Sequence, residues 1–176
     1  ITAEDVGMNL QDMEWISKET KHVSGLPGKS GNPSPITALG VYRAMKASAK
    51  EKWGNDSLNE KKITVQGIGH VGEHLVKLLS KENAKVFISD INDEKLAAVG
   101  KEYKAEVVSP DKVYDTDAAI YAPCALGATV NPETLKKLKC SIICGSANNQ
   151  LADEKRDGEE VMKKGITAEE LERVKN

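Results

Sequence analysis

Apolar and polar positions along the chain follow two alternating patterns. Short runs from Ile63 to Gln66, Val86 to Ser89, Glu106 to Val108, Ala118 to Tyr121 and Ser141 to Cys144 are rich in Val, Ile and Ala. Most carry apolar residues on both faces, as strands covered by helices on either side require. Between them the period lengthens to that of a helix. Val71, Leu75, Leu78 and Leu79 fall on one face of a predicted helix over 71–79. Asn92 is placed to cap a helix running to about Tyr103, with Leu96 and Val99 turned inward. Asn131-Pro132 supplies a cap and a first-turn proline ahead of Leu135 and Leu138. Strands alternating with helices predict βαβ units, hence an α/β fold with a twisted, mostly parallel sheet of about five strands and helices on both faces.

Two more helices are predicted ahead of the sheet. One spans Leu10 to Glu19, with Met13 and Ile16 on one face. The other opens at Ser34-Pro35, runs to Trp53 and stops at Gly54-Asn55. The intervening stretch from Ser24 to Ser34 contains Gly25, Gly28, Gly31, Pro27 and Pro33, which reads as a hinge or ordered loop. At the far end Thr167-Ala168-Glu169-Glu170 fits the capping box of a short last helix.

Composition narrows this picture. The 176 residues are 39% hydrophobic but hold only seven aromatics (two Trp, four Tyr, one Phe), so the core must be aliphatic. With 25 basic and 27 acidic residues the net charge is −2, which leaves no electrostatic footprint for nucleic acid. No apolar run approaches the roughly 18 residues that read as a membrane span. Three cysteines, an odd number, predict free thiols in a reducing, cytoplasmic compartment. None of them shows paired metal-ligand spacing.

The chemistry begins at Gly67-Ile68-Gly69-His70-Val71-Gly72, a G-x-G-x-x-G run placed after a predicted strand and opening a predicted helix. In that context the first glycine permits a tight turn and the second lets backbone approach a pyrophosphate. The third lets helix pack against strand. Asp90 closes the next predicted strand, 18 residues beyond Gly72. A carboxylate there accepts hydrogen bonds from ribose hydroxyls and repels a 2′-phosphate, which favours NAD over NADP. No arginine follows it; the next residues are Ile91-Asn92-Asp93. Together these features predict a Rossmann-like, doubly wound sheet. A competing motif overlaps the loop, because His70-Val71-Gly72-Glu73-His74 matches the H-x-x-E-H pattern of a zinc protease. Gly72 weakens a zinc helix, and the strand and paired glycines are explained only by nucleotide binding, so no metal is expected.

Four further stretches complete a pattern: Asp5-Val6-Gly7, the run from Ser30 through Gly31-Asn32-Pro33-Ser34-Pro35 and Thr37 to Val41, the run from Tyr121 to Ala128, and Gly145 to Gln150. In this order, with the glycine loop and Asp90, the chain resembles the glutamate/leucine/phenylalanine/valine dehydrogenase family over about residues 1–166. Its 31–35 run looks most like the leucine- and valine-acting members. The resemblance implies NAD-dependent oxidative deamination of a small aliphatic L-amino acid to a 2-oxo acid and ammonia. It implies that Asp5 shuttles protons, that Thr37 sits near the nicotinamide carboxamide, and that Cys124, Ala125, Ala147 and Asn148 line ribose and nicotinamide. Gly67, Ile68, Gly69, His70, Val71 and Gly72 would hold the pyrophosphate, with Asp90 and the adjoining Ile91 at the ribose.

Blander roles exist for each. Taken singly, Asp5 is one acid among 27, Thr37 a first-turn helix residue, and Asn148 and Asn149 turn residues. Cys124 has no histidine near it in sequence, so its expected role is bulk and backbone, not covalent chemistry. The resemblance also implies a substrate domain with catalytic lysines ahead of residue 1. Residues 1–34 are then expected to be a remnant of that domain and the hinge, and 35–176 the NAD-binding domain. From 167 onward the sequence departs from the family pattern, which suggests truncation or internal deletion. The full enzyme is expected to be a homo-oligomer, and this chain alone to bind NAD with little turnover. The alternative is a noncatalytic NAD-binding or interaction module on the same sheet.

Overall fold

The computed structural model describes residues 1–5, 7–29 and 31–168, the last two by backbone alone. Helix α1 (Leu10–Glu19) starts at Asn9, whose side chain accepts from the backbone N–H groups of Gln11 and Asp12. The Asp12 carboxylate in turn accepts from the Asn9 N–H, a reciprocal cap contributing about 1 kcal/mol. Helix α2 (Ser34–Trp53) ends at Gly54 in the left-handed conformation, with φ of 78°. Its first turn is set by Asn32, whose side chain accepts from the Ser34 N–H at 2.8 Å.

The sheet follows in strand–helix alternation: β1 (Lys62–Gln66), α3 (His70–Lys81), β2 (Lys85–Ser89), α4 (Asp93–Tyr103), β3 (Glu106–Val107), a single 3-10 turn at Val113–Asp115, β4 (Ile120–Pro123), α5 (Pro132–Lys137), β5 (Ile142–Ile143), α6 (Glu154–Lys163) and β6 (Thr167–Ala168). All five pairings are parallel, in the order β3-β2-β1-β4-β5-β6. From β1 the chain builds outward to β2 and β3, then returns to lay β4 on the other side of β1. The connections leaving β1 and β4 therefore diverge, and such a switch point opens the crevice in which doubly wound folds bind ligands.

Strand alternation divides the core into two layers. Ile63, Val65, Ile88, Ile120 and Ile142 point to one face, where Met45 and Ala49 of α2 and Leu75 and Leu79 of α3 cover them; all nine are fully buried. Tyr121 and Ile143 point to the other, against Val130, Leu135 and Val161. Each buried aliphatic side chain contributes about 1.5–3 kcal/mol from desolvation. The single buried tyrosine carries its own partner: the Tyr121 hydroxyl donates to Gln66 Oε1, and Gln66 Nε2 donates to the Tyr114 hydroxyl at 3.0 Å.

Three elements differ from the sequence expectation. β4 starts two residues later than the apolar run, because Ala118 is held in a turn on the Thr116 carbonyl and the ladder opens at Ile120 opposite Ile63. α6 is masked in the sequence by Gly158 and a nearly all-charged segment; Asp153 caps it by accepting from the Arg156 N–H, and only Asp157, Gly158 and Val161 are buried. Thr167 and Ala168, expected to begin a helix, instead pair with Ile142 and Ile143 as a sixth strand. The remainder of that expected helix, and Val6 and Ser30 of the motifs, lie outside the described residues.

Candidate functional site

The glycine loop is built by contacts no side chain would fit. Gly67 adopts φ of 97°, and a Cβ there would lie 2.5 Å from the Ala125 nitrogen and 2.7 Å from the Cys124 carbonyl carbon. A Cβ on Gly72 would overlap the Gly67 carbonyl oxygen. The loop is thus folded back on itself and pressed against the segment after β4. Gly69 is the exception. It is exposed, and a Cβ there would meet nothing within 4 Å. Two of the three glycines thus serve close packing, and the third leaves the loop open.

Immediately after Gly69, α3 begins, and its first intrahelical bond runs from the Glu73 N–H to the Gly69 carbonyl at 3.1 Å. The preceding N–H groups have no acceptor within the helix and, with the helix dipole, favour an anion at this end. Asp90 braces the loop from β2, with Oδ2 accepting from the Ile68 N–H at 2.5 Å and Oδ1 from the Asn92 N–H at 3.0 Å. Ile68 itself is fully buried, while Ile91, beside Asp90, is 95% exposed.

A cleft of about 520 Å³ opens at this point. It gathers residues from distant parts of the chain, among them Asp5 from the amino-terminal segment, Thr37 from the first turn of α2, Gly69, His70 and Val71 from the loop and α3, and Cys124, Ala125, Ala147 and Asn148 from the segments after β4 and β5. Those last two segments interlock. Ala147 N–H donates to the Pro123 carbonyl at 3.0 Å, and a Cβ on Gly127 would collide with Asn149. Of the residues singled out in the sequence, nine line the cleft, whereas Gly67, Ile68, Gly72, Asp90 and Ile91 are not among its lining residues.

Seven further residues line the cleft: Gly7, Pro33, Ser34 and Ser146 belong to the motif runs, whereas Glu4, Met8 and Lys95 were not anticipated. The Glu4 side chain is only 5% exposed, its Oε1 lies 2.9 Å from Nδ1 of His70, and its Oε2 is buried with no hydrogen-bond partner among the described residues. Lys95 Nζ lies 3.0 Å from Glu73 Oε2. Nothing in local sequence sets Glu4 apart from its acidic neighbours; the contact to residue 70 exists only in three dimensions. Burial pushes the Cys124 thiol up, against hydrogen bonds from Ser146, which disfavours the nucleophilic thiolate. The histidines of the H-x-x-E-H run are used otherwise, since His74 Nδ1 lies 2.7 Å from the His70 carbonyl oxygen. Among the described residues no group of three potential ligands is gathered for a metal ion. No described helix is long and apolar enough to cross a membrane.

Sheet order, switch-point cleft and glycine loop define a Rossmann-like α/β domain. Comparisons with known proteins extend this. A model of the glutamate/leucine/phenylalanine/valine dehydrogenase family matches residues 28–94. Leucine dehydrogenase of Thermoactinomyces intermedius is 53% identical over 169 residues, covering 94% of this chain and 46% of that protein. L-tryptophan dehydrogenase of Nostoc punctiforme is 42% identical over 166 residues, covering 94% and 47%. The crystal structure of an L-tryptophan dehydrogenase from Nostoc punctiforme superposes with a TM-score of 0.80 at 39% identity, covering 96% of this chain and 48% of that one. A hetero-hexameric glutamate dehydrogenase from Thermus thermophilus shares the fold, with a TM-score of 0.75 at 19% identity over 94% of this chain and 45% of that one. The chain spans about half the length of the curated relatives it matches. It belongs to the glutamate/leucine/phenylalanine/valine dehydrogenase family.

Proposed function

We propose that the chain is the cofactor-binding half of an NAD-dependent dehydrogenase that oxidatively deaminates an aliphatic L-amino acid to a 2-oxo acid and ammonia. The observation that carries this reading is the convergence of Asp5, Thr37 and the glycine loop on one cleft at the switch point of the sheet. When bound, NAD supplies the ring that accepts a hydride from the amino acid. The chain's own residues do the rest of what this half contributes. Backbone N–H groups after Gly69 hold the diphosphate, and Asp90 accepts from ribose hydroxyls. Thr37, Cys124, Ala125, Ala147 and Asn148 shape the inner end of the cleft. Asp5 exchanges protons with the substrate amine.

Residues 1–34 are assigned to the adjoining substrate domain and hinge, and 35–176 to the cofactor domain. The 53% identical relative is a leucine dehydrogenase, which supports an aliphatic substrate. The working enzyme is proposed to be a cytoplasmic homo-oligomer. The only lysine lining the described cleft, Lys95, is paired with Glu73, so this chain alone is proposed to bind NAD with little turnover. Joining it to the substrate domain of a leucine dehydrogenase and assaying NADH formation from L-leucine tests the reading. Turnover that is abolished by Asp5→Asn supports it. A joined protein with no turnover, a joined protein whose activity survives Asp5→Asn intact, or robust deamination by this chain alone contradicts it.

A further inference from the structure

Ser146, Ala147 and Asn148 line the cleft from a loop between β5 and α6 that lies outside any helix or strand. Gln150 closes that loop across its base. It is 6% exposed, and its Nε2 donates to the Gly145 carbonyl at 3.1 Å. The Gln150 backbone carbonyl accepts from the Val130 N–H at 2.9 Å, and the neighbouring Asn149 carbonyl from the Ala128 N–H at 2.6 Å. The residue therefore ties the loop both to its own start and to the chain that follows β4. At the far end Gly145 lies flat on Pro123, whose carbonyl oxygen a Cβ there would strike. A buried amide must be hydrogen-bonded, whereas an apolar side chain fills the same volume without that demand. What the amide adds is a fixed separation between residues 145 and 150, and the three lining residues stand between them.

We propose that Gln150 is a positioning residue, whose amide holds the 145–150 loop so that Ala147 and Asn148 stand ready to receive the nicotinamide riboside end of the cofactor. The inference rests on the dinucleotide reading above and adds to it a residue that does not itself line the cleft. A loop held in place before binding spares the ligand the entropy of ordering it, and that saving appears as affinity. The two ends of the cleft are braced by different bonds. The glycine loop is held by Asp90 and by its own close packing, with no contribution from residues 145–150. Ala147, by contrast, has its N–H on the Pro123 carbonyl at 3.0 Å, within the span that the Gln150 amide closes. Loosening Gln150 should therefore weaken the hold on the nicotinamide end and spare the adenosine diphosphate end.

Calorimetric titration of the full chain with NADH and with ADP-ribose, which lacks the nicotinamide, reads the two ends separately. Gln150→Met keeps the length of the side chain and loses the donor. Gln150→Asn keeps the amide but falls one methylene short of Gly145. In both variants the Kd for NADH should rise about tenfold, the equivalent of one buried hydrogen bond, while that for ADP-ribose stays within about twofold of the parent. The nicotinamide fluorescence gained per bound NADH should fall as well, because the ring is less firmly enclosed. Circular dichroism checks that each variant is folded. Unchanged NADH affinity in a folded variant, or equal weakening of NADH and ADP-ribose, overturns the inference while leaving the cofactor reading standing. Unfolding of both variants does the same, since the amide would then be a core contact and nothing more. Absence of saturable NADH binding to the parent chain overturns both together.

Discussion

The Gly67 carbonyl oxygen occupies the space where a Cβ on Gly72 would stand. Strand end and helix start are locked together at this point, and Gly69 between them is left open. The two positions therefore fail differently. Gly72→Ala must shift backbone, and is expected to cost about 1–3 kcal/mol of stability as an overpacked site. Gly69→Ala should leave the unfolding free energy within about 0.5 kcal/mol of the parent, as exposed substitutions do. It should nevertheless weaken NADH binding, because the methyl stands where the proposed site brings in the diphosphate. Denaturant unfolding and NADH titration on the two variants check the contrast.

Asp90 has one observed task and one proposed, which a single substitution can separate. Its carboxylate accepts from the Ile68 and Asn92 N–H groups, and it stands at the position assigned to ribose. Asp90→Asn keeps the size and one acceptor oxygen but removes the charge. Discrimination between NADH and NADPH should fall by about tenfold or more, the equivalent of about 1.4 kcal/mol of lost repulsion. Competitive titration with both cofactors measures the ratio. An unchanged ratio would remove Asp90 from the ribose site.

Asp157 is the buried charge of α6, fully enclosed and gripped by Arg156 through Nε at 2.7 Å and Nη2 at 3.0 Å, with the Asp153 N–H at 2.9 Å. The Arg156 hydrogen bonds hold its carboxyl below the usual range, against the opposing effect of burial. A depressed carboxyl contributes stability that is fully present above its unfolded value of about 4 and lost as pH falls through the lower folded value. Asp157→Asn should cost about 1–3 kcal/mol at pH 7. It should also shrink the further loss seen between about pH 5 and pH 2. Urea unfolding across that range provides both numbers.

Much of this architecture is legible in the sequence because it rests on local signals. The caps at Asn92 and Asn131, the glycine stop at Gly54 and the doubly apolar strands around Ile63–Gln66 and Val86–Ser89 all coincide with observed elements. What escapes depends on tertiary pairing. β6 is two residues long and exists only through its ladder to β5. α6 buries few residues and carries a mid-helix glycine, which lowers its helix propensity by about 1 kcal/mol. The site divides the same way. Glycine spacing announces the tight turn between β1 and α3, whereas Glu4, 66 residues from His70 in sequence, is invisible until the chain folds.

The central claim is that the cleft beside Gly69 is a dinucleotide site. The most direct test is to titrate the 176-residue chain with NADH and follow nicotinamide fluorescence. The account predicts saturable enhancement at submillimolar concentration, reversed by NAD and weakened by Gly69→Ala. No binding at millimolar NADH would contradict it.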